Sequence, residues 1–355
     1  MRGGLVQLFD DGPRGETRKL AGIYVLLVAA NLLVWLWAFA AFAGRPALLG
    51  TALLAYILGL RHAVDADHIA AIDNVVRKLM QDGRRPYSVG LFFALGHSTV
   101  VVLASVGVAA AATTLQDSFQ MLKLAGGTIG TGVSALFLLL IAAVNVIILR
   151  GVWRSFRDVR RGRRLERAQL DTLLAGHGVL ARLLRPLFRV ISRSWHMYPL
   201  GLLFGLGFDT ATEVGLLGVS ASQASQGLSP ISLLIFPALF AAGMTLLDTT
   251  DGVLMVRAYG WAFVEPLRKL WYNLTITAAS VAIALLIGGT EALGLLAAKL
   301  DLEGAFWTAV RGLNEDLGSF GFLVIALFVL SWIVSMLLYR WHGIGELARS
   351  APESA

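Results

Sequence analysis

The densest concentration of metal-type ligands in the chain is Arg61-His62-Ala63-Val64-Asp65-Ala66-Asp67-His68, two imidazoles and two carboxylates within seven residues. Imidazole nitrogen with carboxylate oxygen makes a mixed chelate suited to divalent cations of borderline hardness. Neutral imidazole is the form that binds, so such a site is pH-dependent. At about 100° per residue, His62, Asp65 and His68 share one helix face, with Asp73 almost above His62. Asp67 points elsewhere, so either it serves a second helix or the helix is locally unwound there. Three further segments carry similar groups: His97-Ser98-Thr99, then Asp209-Thr210-Ala211-Thr212-Glu213, then Thr245, Asp248, Thr249, Thr250 and Asp251. Asp209 and Glu213, like Asp248 and Asp251, are spaced to share a face. The carboxylates exceed what Arg61 and one divalent cation neutralise, and the neighbouring Ser and Thr hydroxyls supply donors for the remainder.

The 355-residue chain has no cysteine, which excludes disulfides, iron–sulfur clusters and thiolate metal sites. Any metal is therefore held by His nitrogen and by oxygen, which suits Ni, Co, Zn or Mn better than Cu(I).

The elements that must position these groups are membrane helices. The chain is 57% apolar and only 15% charged, against about 25% charged in a soluble domain. Leu20 to Ala43 and Phe320 to Leu338 contain no Asp, Glu, His, Lys or Arg, and each covers the roughly 20 residues needed to cross a bilayer. The polar, glycine-rich residues ahead of the first run lack the order of a cleaved signal, so that run reads as a retained helix. The expected fold is an all-α polytopic membrane protein of eight transmembrane helices, near 20–43, 48–75, 88–113, 124–149, 198–221, 230–256, 270–290 and 319–340. The four polar clusters then fall at central or inner-central depth. Ionisable groups there cost several kcal/mol each unless paired or facing a cavity, so four helices bringing them to one level describe a binding site. Glu291 sits near the outer end of the seventh span, as a solvated cap or a vestibule charge.

Arginine and lysine set the orientation. With both termini cytoplasmic, one side receives Arg14, Arg18, Lys19, Arg77, Lys78, Arg84, Arg85, the whole 150–193 stretch, Arg257, Arg268, Lys269 and Arg340. The other side holds only Arg45, Lys123, Lys299 and Arg311, the asymmetry of the positive-inside rule. The formal charge of +7 is thus a topology signal that meets anionic lipid and not nucleic acid. The chain divides into an N-terminal membrane half, 1–149, a basic cytoplasmic linker, 150–196, and a C-terminal membrane half, 197–355. Leu58-Gly59-Leu60-Arg61-His62 echoes Leu203-Phe204-Gly205-Leu206-Gly207-Phe208, and Phe92-Phe93-Ala94-Leu95-Gly96-His97 echoes Phe236-Pro237-Ala238-Leu239-Phe240. The paired spans run in opposite directions, which suggests an inverted three-helix repeat, second to fourth against fifth to seventh.

At these residues the sequence resembles the nickel/cobalt transporter family, eight-helix bacterial and fungal permeases. The resemblance rests on His62, four residues, then Asp67-His68 in the second span, with Leu95-Gly96-His97-Ser98-Thr99-Val100-Val101 in the third. It continues in Leu206-Gly207-Phe208-Asp209-Thr210-Ala211-Thr212-Glu213 and in Gly243-Met244-Thr245-Leu246-Leu247-Asp248-Thr249-Thr250-Asp251-Gly252. It covers essentially the whole chain, least closely in the linker and in 291–317. The resemblance implies uptake of Ni²⁺ or Co²⁺ across the bacterial inner membrane, the ion being substrate and no cofactor being needed. His62, Asp65, Asp67 and His68 would recognise the metal with His97. Ser98, Thr99, Asp209, Thr210, Thr212, Glu213, Asp248, Thr249 and Asp251 would line the path. No Gly-x-x-x-x-Gly-Lys-Ser/Thr phosphate loop occurs, so no ATPase subunit is expected. An exporter, an intramembrane metalloenzyme and a metal-sensing receptor are the rival readings. The enzyme lacks a His-Glu-x-x-His pair, and the receptor lacks an output domain.

Overall fold

The computed structural model describes residues 9–12, 15–111, 116–160, 191–206, 211–262 and 266–315, with isolated positions between 326 and 337. All regular structure among them is helical: α1 (Glu16–Ala41), α2 (Pro46–His62), α3 (Ala66–Gln81), α4 (Val89–Ala111) and α5 (Gln116–Arg160). After the linker come α6 (Met197–Phe204), α7 (Ala211–Ser225), α8 (Pro230–Leu233), α9 (Ile235–Ala262), α10 (Pro266–Lys299) and α11 (Ala305–Glu315). Most of the linker and of the eighth expected span, with Asp209 and Thr210, lies outside the described residues.

The distribution of side chains is that of a membrane protein. Val25, Leu33, Leu103, Leu136 and Leu254 face outward, while His62, His68, Asp73, His97, Glu213, Asp248 and Ser280 are buried. Apolar groups have nothing to gain from the interior when the surroundings are lipid, so close packing and polar contacts drive assembly instead. Five helical stretches are long and apolar enough to cross a membrane: α1, most of α4, the middle of α5, α8 with α9, and the second half of α10. The pair α2 and α3 makes a sixth if taken as one span bent by 50°.

That bend interrupts the span expected over 48–75 and realises the second of the two alternatives left open there, a helix locally unwound near Asp67. The helix stops at His62, Ala63 and Val64 form a turn, and Asp65 is extended before α3 begins. Aspartate favours such an N-cap position because its carboxylate can accept from the first helical N–H groups. Here it makes no side-chain cap bond; the carboxylate bonds back to Arg61 and His62 instead. The expected fifth span is likewise interrupted, α6 stopping at Phe204 and α7 resuming at Ala211. The seventh runs on to Lys299, so that Glu291 is a buried residue within α10 and not a solvated cap.

Helix α9 is the axle of the bundle and packs against α1, α2, α3, α4, α7, α8 and α10. Glycine makes the crossings close. A Cβ at Gly59 would fall on the Phe240 backbone, one at Gly96 on the Tyr198 carbonyl, and one at Gly201 on the Phe93 carbonyl. A Cβ at Gly90 would fall on the Asp248 carbonyl, and Gly252 lies against Gly90 from the opposite side. These contacts hold α2 on α9, α6 on α4, and α4 on α9.

Apolar clusters close both ends of the bundle. At the end bearing Glu16 and Val89, Ile23, Leu27, Ile72, Leu79, Phe93, Val256 and Tyr259 pack together. At the opposite end, Phe42, Ala52, Leu216, Ile235, Phe236 and Phe240 do the same. Polar contacts tie the first end: Glu16 accepts from Tyr87 at 3.0 Å and pairs with Arg85 at 3.3 Å, and Asp11 accepts from the Ser194 amide at 2.8 Å.

Gly90→Val forces backbone apart at the α4–α9 crossing, and overpacking of this kind costs about 3 kcal/mol. The expected outcome is a clear fall in unfolding temperature in detergent. Gly50→Ala, where a Cβ meets nothing within 4 Å, should leave the temperature unchanged or slightly raised.

Candidate metal centre

The break after His62 turns the His62 ring into the bundle at the level where α3 starts, and His68 follows in the first turn of α3. His97 reaches the same place from the first half of α4, where Gly96 lets α6 approach closely behind it. The three rings lie edge to face or tilted, with centroids 4.6 Å apart for His62 and His68, 4.7 Å for His62 and His97, and 4.8 Å for His68 and His97. They are 1%, 0% and 3% exposed. Each offers one nitrogen such that all three atoms lie within 4.8 Å of one another. A divalent ion bonded to nitrogens at about 2.1 Å keeps each pair at most about 4.2 Å apart, so the most separated rings must draw together to hold one ion.

Carboxylates brace the imidazoles. His62 Nδ1 donates to Asp65 Oδ2 at 2.8 Å, with Thr212 Oγ1 3.0 Å from the same nitrogen. His62 Nε2 therefore points at His97 Nε2, 2.8 Å away, and Glu213 Oε1 lies 2.9 Å from that His97 nitrogen. His68 Nδ1 donates to Asp248 Oδ2 at 3.2 Å across the α3–α9 contact. His68 Nε2, His97 Nδ1 and Asp248 Oδ1 are buried without a hydrogen-bond partner among the described residues. His62 and His68 are each held at Nδ1 by a carboxylate with Nε2 left over, the usual environment of a metal-ligating histidine, whereas at His97 the nitrogen facing His62 is the one Glu213 approaches. Phe93 and Phe240 wall the cluster, their rings 4.8 Å from His68 and 5.4 Å from His62.

The expected residues divide accordingly. His62, His68, His97, Asp65, Thr212, Glu213 and Asp248 come together. Asp67 is half-buried in the first turn of α3 and makes no ion pair or hydrogen bond among the described residues. Ser98 is buried beside the cluster with its hydroxyl unpartnered among the described residues. Thr99 turns away, donating to the Leu95 carbonyl at 2.8 Å and meeting the Tyr198 hydroxyl at 3.0 Å. Thr249 donates to the Thr245 carbonyl at 2.6 Å and so serves its own helix. Asp251 lies one turn beyond Asp248, its buried Oδ2 unpartnered among the described residues. Asp209 and Thr210 lie outside the described residues.

Asp73 does not stand over His62. It accepts from Tyr259, and from Ser280 Oγ at 2.8 Å, within a separate buried network. There Arg77 donates to Thr277 at 3.0 Å and to Asn74 at 2.7 Å, and Asn145 donates to Asn74 at 2.7 Å. Sequence reasoning missed this network and the aromatic walls. Phe93, four residues ahead of His97 and so on its helix face, was the available signal for the walls.

A family model described as high-affinity nickel-transport protein, NicO, matches residues 48–338. The hydrogenase nickel incorporation protein HupN of Bradyrhizobium diazoefficiens is 58% identical over 330 residues, 92% of this chain and 86% of that protein. A high-affinity nickel transport protein of Cupriavidus necator is 59% identical over 322 residues, 91% of this chain and 92% of that protein. The cobalt transport protein NhlF of Rhodococcus rhodochrous is 41% identical over 331 residues, 91% and 93% of the two chains. No solved structure gives a significant match. The helical membrane bundle, the buried imidazoles and these matches agree: the chain belongs to the NicO family of high-affinity nickel-transport proteins.

Proposed function

We propose that the protein is a permease that imports Ni²⁺ or Co²⁺, the ion passing through the centre formed by His62, His68 and His97. The observation that carries this reading is three braced imidazoles, all but sealed from solvent, at the meeting of α2, α3, α4, α7 and α9 inside a membrane bundle. Nitrogen-rich coordination suits nickel and cobalt and disfavours magnesium and calcium. Asp65, Asp248 and Glu213 orient the rings and balance the arriving charge, while Ser98, Asp67, Asp209, Thr210 and Asp251 belong to the path on either side.

Apolar packing at both ends supports an occluded conformation, closed around the histidines. Transport then requires each end to open in turn. The finer fold belongs to the same reading: eight spans, a 1–149 and a 197–355 half joined by the basic 150–196 linker, and an inverted repeat. The crossings support that repeat. Tyr56-x-x-Gly59 of α2 packs on Phe240-x-x-Gly243 of α9, and Tyr198-x-x-Gly201 of α6 packs on Phe93-x-x-Gly96 of α4. The two pairs share one pattern, Tyr-x-x-Gly on Phe-x-x-Gly, as a two-fold repeat requires, and each Tyr-x-x-Gly helix breaks three residues after its glycine, at His62 and at Phe204.

In the inner membrane with both termini cytoplasmic, a divalent cation entering down the potential gains about 2.3 kcal/mol per charge per 100 mV. That drives import directly, or through a proton couple, without an ATPase subunit.

Cells expressing His62→Ala, His68→Ala or His97→Ala should accumulate labelled Ni²⁺ and Co²⁺ only at background, with protein at wild-type level in the membrane. Arg163→Ala should transport normally. Uptake at wild-type rate by all three histidine variants would sink the assignment, and wild type that lowers cellular metal would turn the reading to export.

The chain has no cysteine, so single cysteines report sidedness. Gln226→Cys should react with a membrane-impermeant maleimide in intact spheroplasts, and Asp82→Cys only after lysis. The reverse pattern would invert the topology.

A further inference from the structure

Of the three carboxylates that brace imidazoles, Asp65 and Asp248, which hold the two histidines nearest the break, are not equivalent. Asp65 is committed on both oxygens: Oδ2 accepts from His62 Nδ1 and Oδ1 accepts from Arg61 Nη1, each at 2.8 Å. Asp248 accepts from His68 Nδ1 on Oδ2, while its buried Oδ1 has no hydrogen-bond partner among the described residues. The Asp65 side chain is 3% exposed, whereas Arg61 is 33% exposed and reaches in from the edge of the cluster. Arg61 is the penultimate residue of the helix that ends at His62, and its bond to Asp65 spans the break that follows. A guanidinium is permanently charged and directional, so it fixes a carboxylate where a water or an amide would let it swing.

We propose that Arg61 is a specificity-determining positioning residue. By holding Asp65 it keeps that carboxylate out of the coordination shell, sets the His62 ring with Nε2 inward, and preserves a nitrogen-rich centre against harder, oxygen-seeking cations such as Mn²⁺. The inference rests on the reading of the three histidines as the site of the transported ion. Freed from Arg61, the nearest carboxylate to His62 would turn toward an ion and add oxygen to its shell. Added oxygen moves preference along the hardness scale from nickel and cobalt toward manganese. The same release leaves the His62 ring without its fixed brace, and loss of an outer-shell partner typically costs about 10–100-fold in metal affinity.

The test uses the full-length protein, purified in detergent, as wild type, Arg61→Gln, Arg61→Lys and Asp65→Asn. Thermal unfolding checks that each is folded. Co²⁺ titrations read affinity and the ligand-field absorption of the bound ion, and Mn²⁺ competition reads selectivity. Arg61→Gln should bind Co²⁺ about tenfold or more weakly, with altered bands and a lower Co²⁺-over-Mn²⁺ preference. Arg61→Lys, which keeps the charge, should recover part of the wild-type spectrum and selectivity. Asp65→Asn should weaken binding without gaining Mn²⁺, because no carboxylate remains to enter the shell. Wild-type spectrum and selectivity in Arg61→Gln would overturn the proposal. Should that variant not fold, Asp65→Asn decides: bands that lose an oxygen donor place Asp65 in the wild-type shell and overturn it, and bands with an unchanged donor set support it. A folded wild type that binds no Co²⁺ overturns the reading of the three histidines, and this inference with it.

Discussion

Every ionisable group carried into the bilayer must find its partner inside the protein, and the architecture follows from that requirement. Water at ordinary depth would satisfy Asp65, Asp248 and Glu213 without help; buried, each must be met by a ring nitrogen, a hydroxyl or a guanidinium. The bonds from His62 to Asp65 and from His68 to Asp248 therefore do two things at once. They make burial of the carboxylates tolerable, and they leave one nitrogen of each imidazole facing a common point. His97, with Glu213 beside it, completes the arrangement from α4 and α7. Five helices converge because no single helix can satisfy so many polar groups from its own side chains.

Convergence of that kind needs helices to approach more closely than side chains normally allow. In a membrane the apolar effect does not press helices together, since lipid is as apolar as leucine, and contact between backbones supplies the adhesion instead. Glycines 59, 90, 96 and 201 sit where the polar cluster requires α2, α4, α6 and α9 to touch. Gly90 packs on the carbonyl of Asp248 itself, so a backbone crossing and a braced imidazole are one structural unit. Tight packing and ligand placement are coupled at that point: moving α4 against α9 moves the carboxylate that holds His68.

The sequence made much of this legible. Long, predominantly apolar runs located α1, α4, α9 and α10, because a stretch of about 20 such residues suits a lipid span. The grouping of polar residues at matching depth located the centre, because such groups in a span need a partner on another span. What stayed hidden depends on tertiary contacts. The sequence leaves the break at 63–65 as one of two alternatives: Asp67 off the ligand face hints at unwinding, but no proline or glycine marks the place. Only the commitment of Asp65 to Arg61 and His62 shows why the chain turns there. For the same reason Asp73 was placed over His62 by helical periodicity, whereas the 50° bend carries it off to Tyr259 and Ser280. Glu291 was assigned to the outer rim because the apolar run weakens near it, and α10 continues regardless, since its packing against α5 and α11 extends the helix.

A transported ion must also leave, and the proposed centre is built so that departure is possible. Its ligands are spread over α2, α3 and α4, with braces on α7 and α9, and no one rigid element carries the whole set. The interruptions after His62 and after Phe204 place backbone ends beside the centre, where a change in helix direction costs few hydrogen bonds. A rotation of α2 against α3 and α9 about residues 63–65 would part His62 from His68 while each kept its own carboxylate, because Asp65 moves with His62 and Asp248 stays bonded to His68. Coordination would fall from three nitrogens to two without stranding a buried charge. A closed chelate on one straight helix would offer no such path. The broken span thus reconciles the two demands on a permeating metal, recognition by several nitrogens and release without leaving unpaired groups in the membrane.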